Sequence, residues 1–211
     1  TEPVCESCTA GYFKAVASTT SMTTDACIVH ATCKQGEWTQ SAGGSSSDTQ
    51  CAACSSGRYR ALAPNVKTAE VETSVCEAHK ACSAGEWTAS AGTLTTDTQC
   101  STCGNGRFRV AAPEGKAQEA SEAEACSGMH KTCSQGEWTA AAGTSTSDTQ
   151  CSACGSGFYR ATAPTGKLAE TASVCAAHAK CEAGKFTKVA GSSITEPVCE
   201  SCTAGYFKAV A

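Results

Sequence analysis

A pair of cysteines three residues apart recurs five times in this chain of 211 residues, as Cys5/Cys8, Cys51/Cys54, Cys100/Cys103, Cys151/Cys154 and Cys199/Cys202. The steps between successive pairs are 46, 49, 51 and 48 residues. Each step holds one further pair: Cys27/Cys33, Cys76/Cys82, Cys126/Cys133 and Cys175/Cys181. Internal repetition decides a fold before local propensity does, because each repeat is one supersecondary unit stacked on its neighbours. A longer period contains the short one: Thr1–Ala17 (TEPVCESCTAGYFKAVA) reappears letter for letter as Thr195–Ala211, 194 residues on. The short modules have diverged while the 17-residue copies have not, so the 194-residue unit was duplicated more recently. The expected organisation is module 1 over residues 5–50, module 2 over 51–99, module 3 over 100–150 and module 4 over 151–198. Residues 199–211 begin another 194-residue repeat, and the array is expected to continue in both directions.

Such modules cannot rest on an aliphatic core. Of the 41% of residues that are hydrophobic, most are Ala and Cys. Leu, Ile, Val and Phe together form roughly a tenth of the chain, well under the ~20% at which globular folding becomes doubtful. Burial alone does not offset the conformational entropy of so apolar-poor a chain. The 18 cysteines supply what is missing, since each disulfide closing a loop of 15–20 residues stabilises by about 3 kcal/mol. Cysteine at this density belongs to oxidising compartments, which points to an extracellular or cell-surface protein. The net charge of −4 is scattered, with no basic stripe for nucleic acid and no polybasic patch or apolar run for membrane contact in this segment. No N-x-S/T sequon occurs; Ser18–Thr24 is a candidate stretch for O-linked sugar.

The module from Cys54 to Cys103 illustrates the local logic. It opens C-x-x-G-x-[YF], with Gly57 suited to a positive-φ turn and Tyr59 starting a short strand. C-x-x-H-x-x-C follows (Cys76, His79, Cys82), then Gly85-Glu86-Trp87-Thr88, then a turn at Gly92. Asp97 before Thr98 and Cys100 is placed to bond the backbone amide two residues on. Strands of about 3–5 residues are expected and helices are not.

These residues resemble the cysteine-rich modules of the tumour necrosis factor receptor family, where C-x-x-H-x-x-C…G-T…T-x-C-x-x-C-x-x-G-x-[FY] also occurs. The likeness runs module after module through the whole chain. It implies a small disulfide-rich, all-β/irregular fold, built as an elongated rod of tandem cysteine-rich modules. Spacing alone leaves the connectivity open; the resemblance implies Cys8–Cys27, Cys54–Cys76, Cys103–Cys126 and Cys154–Cys175, with Cys33–Cys51, Cys82–Cys100, Cys133–Cys151 and Cys181–Cys199. A second bridge that many members carry is not expected, because His30, His79, His130 and His178 stand where one of its cysteines would be. Cys5 and Cys202 are left over, which fits bridges to adjacent repeats.

C-x-x-H-x-x-C beside C-x-x-C also fits zinc ligation. Zinc needs thiolates, however, and this density of cysteine points to oxidised sulfur. The Cys126/Cys133 pair encloses one residue more than its counterparts, which a metal site tolerates less well than a disulfide framework. The histidines are therefore read as structural, each ring bonded to nearby backbone. Together with Trp38, Trp87, Trp138 and Phe186 they are the expected miniature core of each module. Arg60, Arg109 and Arg160 follow an aromatic and are placed to stack on a Trp face. No nucleophile–base pattern, phosphate loop or calcium loop is visible, so no catalytic residue, metal or cofactor is expected.

Near-perfect repetition suggests a structural protein, the building block of a long extracellular fibre or of a cell-surface or flagellar filament. Its partners would be copies of itself, since a repeated surface is the condition for open helical assembly; other extracellular proteins or glycans are further candidates. The alternative, which the family resemblance implies, is a receptor or decoy ectodomain that binds a protein ligand. An adhesin using many weak sites lies between the two.

Overall fold

The computed structural model describes residues 8–14, 27–65, 67–104 and 106–206; Cys5 and the Ser18–Thr24 stretch lie outside them. The fold is disulfide-rich and irregular, built from paired short strands with few helical turns. Among the described residues two kinds of strand pair alternate. Four are minimal: β1 (Tyr12–Phe13) with β2 (Ile28–Val29), β5 (Arg58–Tyr59) with β6 (Glu77–Ala78), β9 (Arg107–Phe108) with β10 (Gly128–Met129), and β13 (Phe158–Tyr159) with β14 (Ala176–Ala177). Four are longer hairpins: β3 (Glu37–Ser41) with β4 (Gln50–Ala53), β7 (Glu86–Ser90) with β8 (Gln99–Thr102), β11 (Glu137–Ala141) with β12 (Gln150–Ala153), and β15 (Lys185–Val189) with β16 (Val198–Ser201). The chain divides into two compact units, Thr1–Cys82 with Thr88–Ser101 and Pro113–Ala120, and Ser83–Trp87 with Thr102–Ala112 and Ser121–Ala211. Both units use the same parts.

Glycine sets where strands begin. Gly57 (φ +84) closes a turn in which Arg58 N–H donates to Ser55 O at 3.0 Å, and Tyr59 enters β5 directly after it. Only glycine adopts such a φ without strain. Gly36 (φ +79) does the same before β3. In β3–β4 the register puts Thr39 opposite Cys51, with a bulge between Thr39 and Ser41; β11–β12 repeats this with Thr139 opposite Cys151.

Eight disulfides cross-link the described residues: Cys8–Cys27, Cys33–Cys51, Cys54–Cys76, Cys82–Cys100, Cys103–Cys126, Cys133–Cys151, Cys154–Cys175 and Cys181–Cys199. Among the described residues Cys202 alone has a free thiol.

Helical turns do occur, against the expectation from sequence. The helices α1 (Glu72–Val75) and α2 (Glu122–Ala125), and a 3-10 turn at Ala172–Val174, each lead into a disulfide cysteine. Each is a single turn closed by the cysteine's own N–H, as in Cys76 N–H to Glu72 O at 2.7 Å. Ser121 caps α2 by accepting from Glu124 N–H, a preference intrinsic to serine at that position.

The core also differs from expectation. Its innermost side chains include Thr39, Thr88 and Thr139, at most 1% exposed, and not the indoles beside them. Trp38, Trp87 and Trp138 are half-buried, and Phe186 is 38% exposed. Strand alternation explains it: threonine points at the disulfide, its hydroxyl 3.6–3.7 Å from Cys33, Cys82 or Cys133 sulfur, and the preceding aromatic points away. In the last hairpin Thr187 is exposed as well, and no described residue covers it. His30 and His79 are buried, while His130 and His178 are half-buried.

Candidate functional site

Two constellations repeat from module to module. The first surrounds the histidines. Each ring lies against the aromatic that ends the first strand of its minimal pair: Phe13–His30 and Tyr59–His79 at 5.3 Å between centroids, Phe108–His130 at 5.6 Å and Tyr159–His178 at 5.5 Å. A backbone bond fixes each histidine from behind, from its N–H to the carbonyl of Gly11, Gly57, Gly106 or Gly157. Nε2 of His130 donates to Thr144 O at 2.9 Å, and Nε2 of His178 to Ser192 O at 3.0 Å. The other face is closed by glycine. A β-carbon at Gly143 or Gly191 would sit 2.5–2.6 Å from the ring, and at Gly43 or Gly92 it would sit closer still. These glycines serve neither a turn nor a positive φ but close approach, which corrects the reading of Gly92 as a turn former.

Beside each of the first three rings is an aspartate, though not in the arrangement expected from sequence. Asp97 Oδ1 accepts from Thr98 N–H, its immediate neighbour, at 2.7 Å and from Lys80 N–H at 2.9 Å. Asp48 and Asp148 repeat the pattern with Thr49 and Ala31, and with Thr149 and Lys131. The bond from Ala31 N–H chiefly holds Asp48 below the usual carboxylate range, as that from Lys131 N–H does for Asp148. The fourth module has Glu196 here, and its carboxylate raises the Tyr159 phenol through like-sign charge and a hydrogen bond of 3.3 Å.

The second constellation was missed in the sequence although its signal is there. R-x3-P-x2-K-x2-E occurs three times, as Arg60–Glu70, Arg109–Glu119 and Arg160–Glu170. It forms a strap across a hairpin. Glu70 N–H donates to Thr39 O at 2.8 Å while its carboxylate accepts from Thr39 N–H at 2.9 Å. Glu119 holds Thr88, and Glu170 holds Thr139, in the same way. Arg60 grips Glu70 with two parallel bonds of 2.8 Å; Arg160 grips Glu170 at 2.7 and 2.8 Å. This fork-to-fork geometry is the strong form of a charge-assisted pair. It gives these two guanidiniums a carboxylate partner, where the sequence reading had placed them on tryptophan. The lysine anchors the middle: Lys116 Nζ donates to His79 O at 2.6 Å.

The straps make stability pH-dependent. Hydrogen bonding from Arg160 is the largest influence on Glu170, whose pKa is lowered to about 2; a hydrogen bond from Arg60 is also the main cause that lowers Glu70. A carboxylate with a depressed folded-state pKa stabilises above its unfolded value of about 4.3, and that contribution is lost as pH falls through the folded value. With disulfides intact, the melting temperature is expected to be flat from neutral pH to about 5 and to fall between about 4.3 and 2. The double variant E70Q/E170Q should start lower and fall less. Calorimetry across that range checks it, and an unchanged midpoint down to pH 2 would contradict the strap assignment.

Neither constellation presents a nucleophile beside a base. The sets Cys33, Glu37, Cys51 and Cys133, Glu137, Cys151 have metal-ligand proximity, but both sulfurs of each are bonded to one another.

No family model matches the chain, and no curated protein does. Among solved structures, one chain of "Human RANKL/OPG complex" is similar, at 19% identity over 86% of this chain and 95% of that one, with a TM-score of 0.29. A chain of "Crystal structure of mouse RANKL-OPG complex" follows at 17% identity, over 71% of this chain and 96% of that one, with a TM-score of 0.30. Likeness of this degree assigns neither a family nor a partner.

Proposed function

We propose that the chain is part of an extracellular receptor- or decoy-like ectodomain that binds a protein ligand through its straps. One observation carries the reading. Each strap presents a large aliphatic side chain to solvent: Leu62 is 76% exposed, Val110 71% and Leu168 80%. Like other aliphatic residues such as Val71 and Leu94, these three lie outside the core, but they stand on segments tied down by the strap glutamates. Exposed apolar groups on pre-ordered backbone are the anchors that protein interfaces use, because little entropy is lost on binding. The resemblance of the motifs to tumour necrosis factor receptor modules supports the same class of partner.

A fibre-forming role is the second reading, favoured by the 17-residue identity of Thr1–Ala17 and Thr195–Ala211. The two separate experimentally. Carrying L62D, V110D and L168D together, the protein should lose about tenfold or more in affinity for intact cells or extracellular material, with stability changed by less than about 0.5 kcal/mol per site. Binding measured by surface plasmon resonance and flow cytometry, unaltered by the three substitutions, would reject the receptor reading. Native material seen as filaments under the electron microscope would favour the second.

A further inference from the structure

Resting on the strap reading above, we propose that the first strapped hairpin carries a pocket for one acidic side chain of the protein partner. Between β3–β4 and the strap that follows lies a cavity of about 120 Å³, whose lining includes Cys33, Thr39, Thr49, Pro64, Asn65 and Lys67. Its hairpin side is deep: Thr39 is 1% exposed, Cys33 6% and Thr49 8%. Its strap side, at Asn65 and Lys67, is open to solvent. One wall is a disulfide-bonded hairpin and the other a strap tethered at Glu70. The pocket is therefore ordered before anything enters it, and little entropy is lost on binding.

The polar groups select the occupant. Lys67 is the one charged side chain of the lining. Its counterpart Lys116 donates to His79 O at 2.6 Å. Lys67 Nζ instead lies over the turn at Gly11, 3.5 Å from where a β-carbon would stand, with no carboxylate paired to it among the described residues. The Thr49 hydroxyl likewise has no partner among the described residues. In its counterparts Thr98 and Thr149 the hydroxyl is sealed away from solvent, whereas Thr49 borders the cavity. The carboxylates nearby are turned to other donors and do not line it. Asp48 accepts from Ala31 and Thr49 N–H, and Glu70 from Thr39 N–H and Arg60. An ammonium and an amide at the mouth, with a hydroxyl inside, thus offer donors to an anion and no charge that repels one. An aspartate or glutamate side chain meets them with two oxygens, one for the ammonium and one for the hydroxyl. Its short apolar stem suits the disulfide and proline walls. A charge-assisted bond of this kind is roughly twice as strong as a neutral one. The volume admits a single side chain, while Leu62 on the same strap stays outside as an apolar contact.

The test titrates isotopically labelled protein, followed by amide NMR, with N-acetyl-aspartate N-methylamide and in parallel with its asparagine analogue at constant ionic strength. The acidic probe is expected to shift the amides of Thr32, Thr49 and Lys67 saturably. The asparagine probe should bind about tenfold more weakly. K67Q should weaken the acidic probe about tenfold and T49V about fivefold. K180Q, the same loss of charge at an exposed lysine elsewhere, should leave it unchanged, and each variant's own spectrum reports its folding. On intact cells K67Q should lower affinity about tenfold as well. Equal binding of the two probes, K67Q no different from K180Q, or T49V without effect would each overturn the pocket. Probe binding lost in K67Q with cell binding unchanged would mark a site for free small carboxylates and overturn the assignment to a partner's side chain. The probe needs no partner, so its failure to bind defeats the pocket alone. An unaltered L62D/V110D/L168D variant that still binds the probe defeats the strap reading and leaves the pocket.

Discussion

Reducing all eight disulfides is expected to leave a disordered chain with no cooperative melt. Among the described residues, nine of the ten buried apolar residues are disulfide cysteines, Phe13 being the tenth, so cleavage removes the cross-links and most of the apolar core at once. The bonded cysteines are 18–23 residues apart, a span for which a disulfide stabilises by about 3 kcal/mol. A small domain has a margin of only about 5–15 kcal/mol. Losing a single bridge in C54S/C76S should therefore cost about 2–5 kcal/mol and release α1, which leads into Cys76. Circular dichroism and calorimetry with and without reductant are decisive. A reduced protein that still melts cooperatively would mean that the straps and histidine stacks hold the fold unaided.

Gly92→Ala should be nearly as damaging, although Gly92 has ordinary backbone geometry. Its new methyl would overlap Nδ1 and Cε1 of His79, and this ring is stacked on Tyr59 and tied by its N–H to Gly57 O. Overpacking of this kind costs about 3 kcal/mol. If steric exclusion of the imidazole is the cause, G92A/H79A should be more stable than G92A alone, a non-additivity that independent sites do not show. Denaturant unfolding of the two single variants and the double variant measures the coupling, and simple additivity would refute the close-approach role.

Much of the fold was legible because its punctuation is chemical. The step from Gly57 to Tyr59 marks a strand start, since positive φ and an aromatic leave few other choices, and cysteine density replaces aliphatic content as the source of stability. The interior was less legible. Size suggested that tryptophan fills it, yet a space between a disulfide and a facing strand admits a threonine and turns the indole outward. The histidine stack was out of reach for another reason: it joins residues 17–22 apart, Phe13 to His30 and Phe108 to His130, through contacts that no local period encodes. The strap could have been found. Its arginine, proline, lysine and glutamate recur at constant spacing three times.

The strap also imposes an order on biosynthesis. Glu70, Glu119 and Glu170 each follow the threonine they hold by 31 residues. At a translation rate of about 5–20 residues per second, a hairpin waits about 2–6 s for its cover. Cys51 leaves the ribosome within that interval, so the oxidising machinery meets Cys33 and Cys51 while Thr39 is still open to water. Each strapped hairpin thus matures only when the segment after it has been made, and a chain interrupted between a threonine and its glutamate leaves that hairpin awaiting its cover.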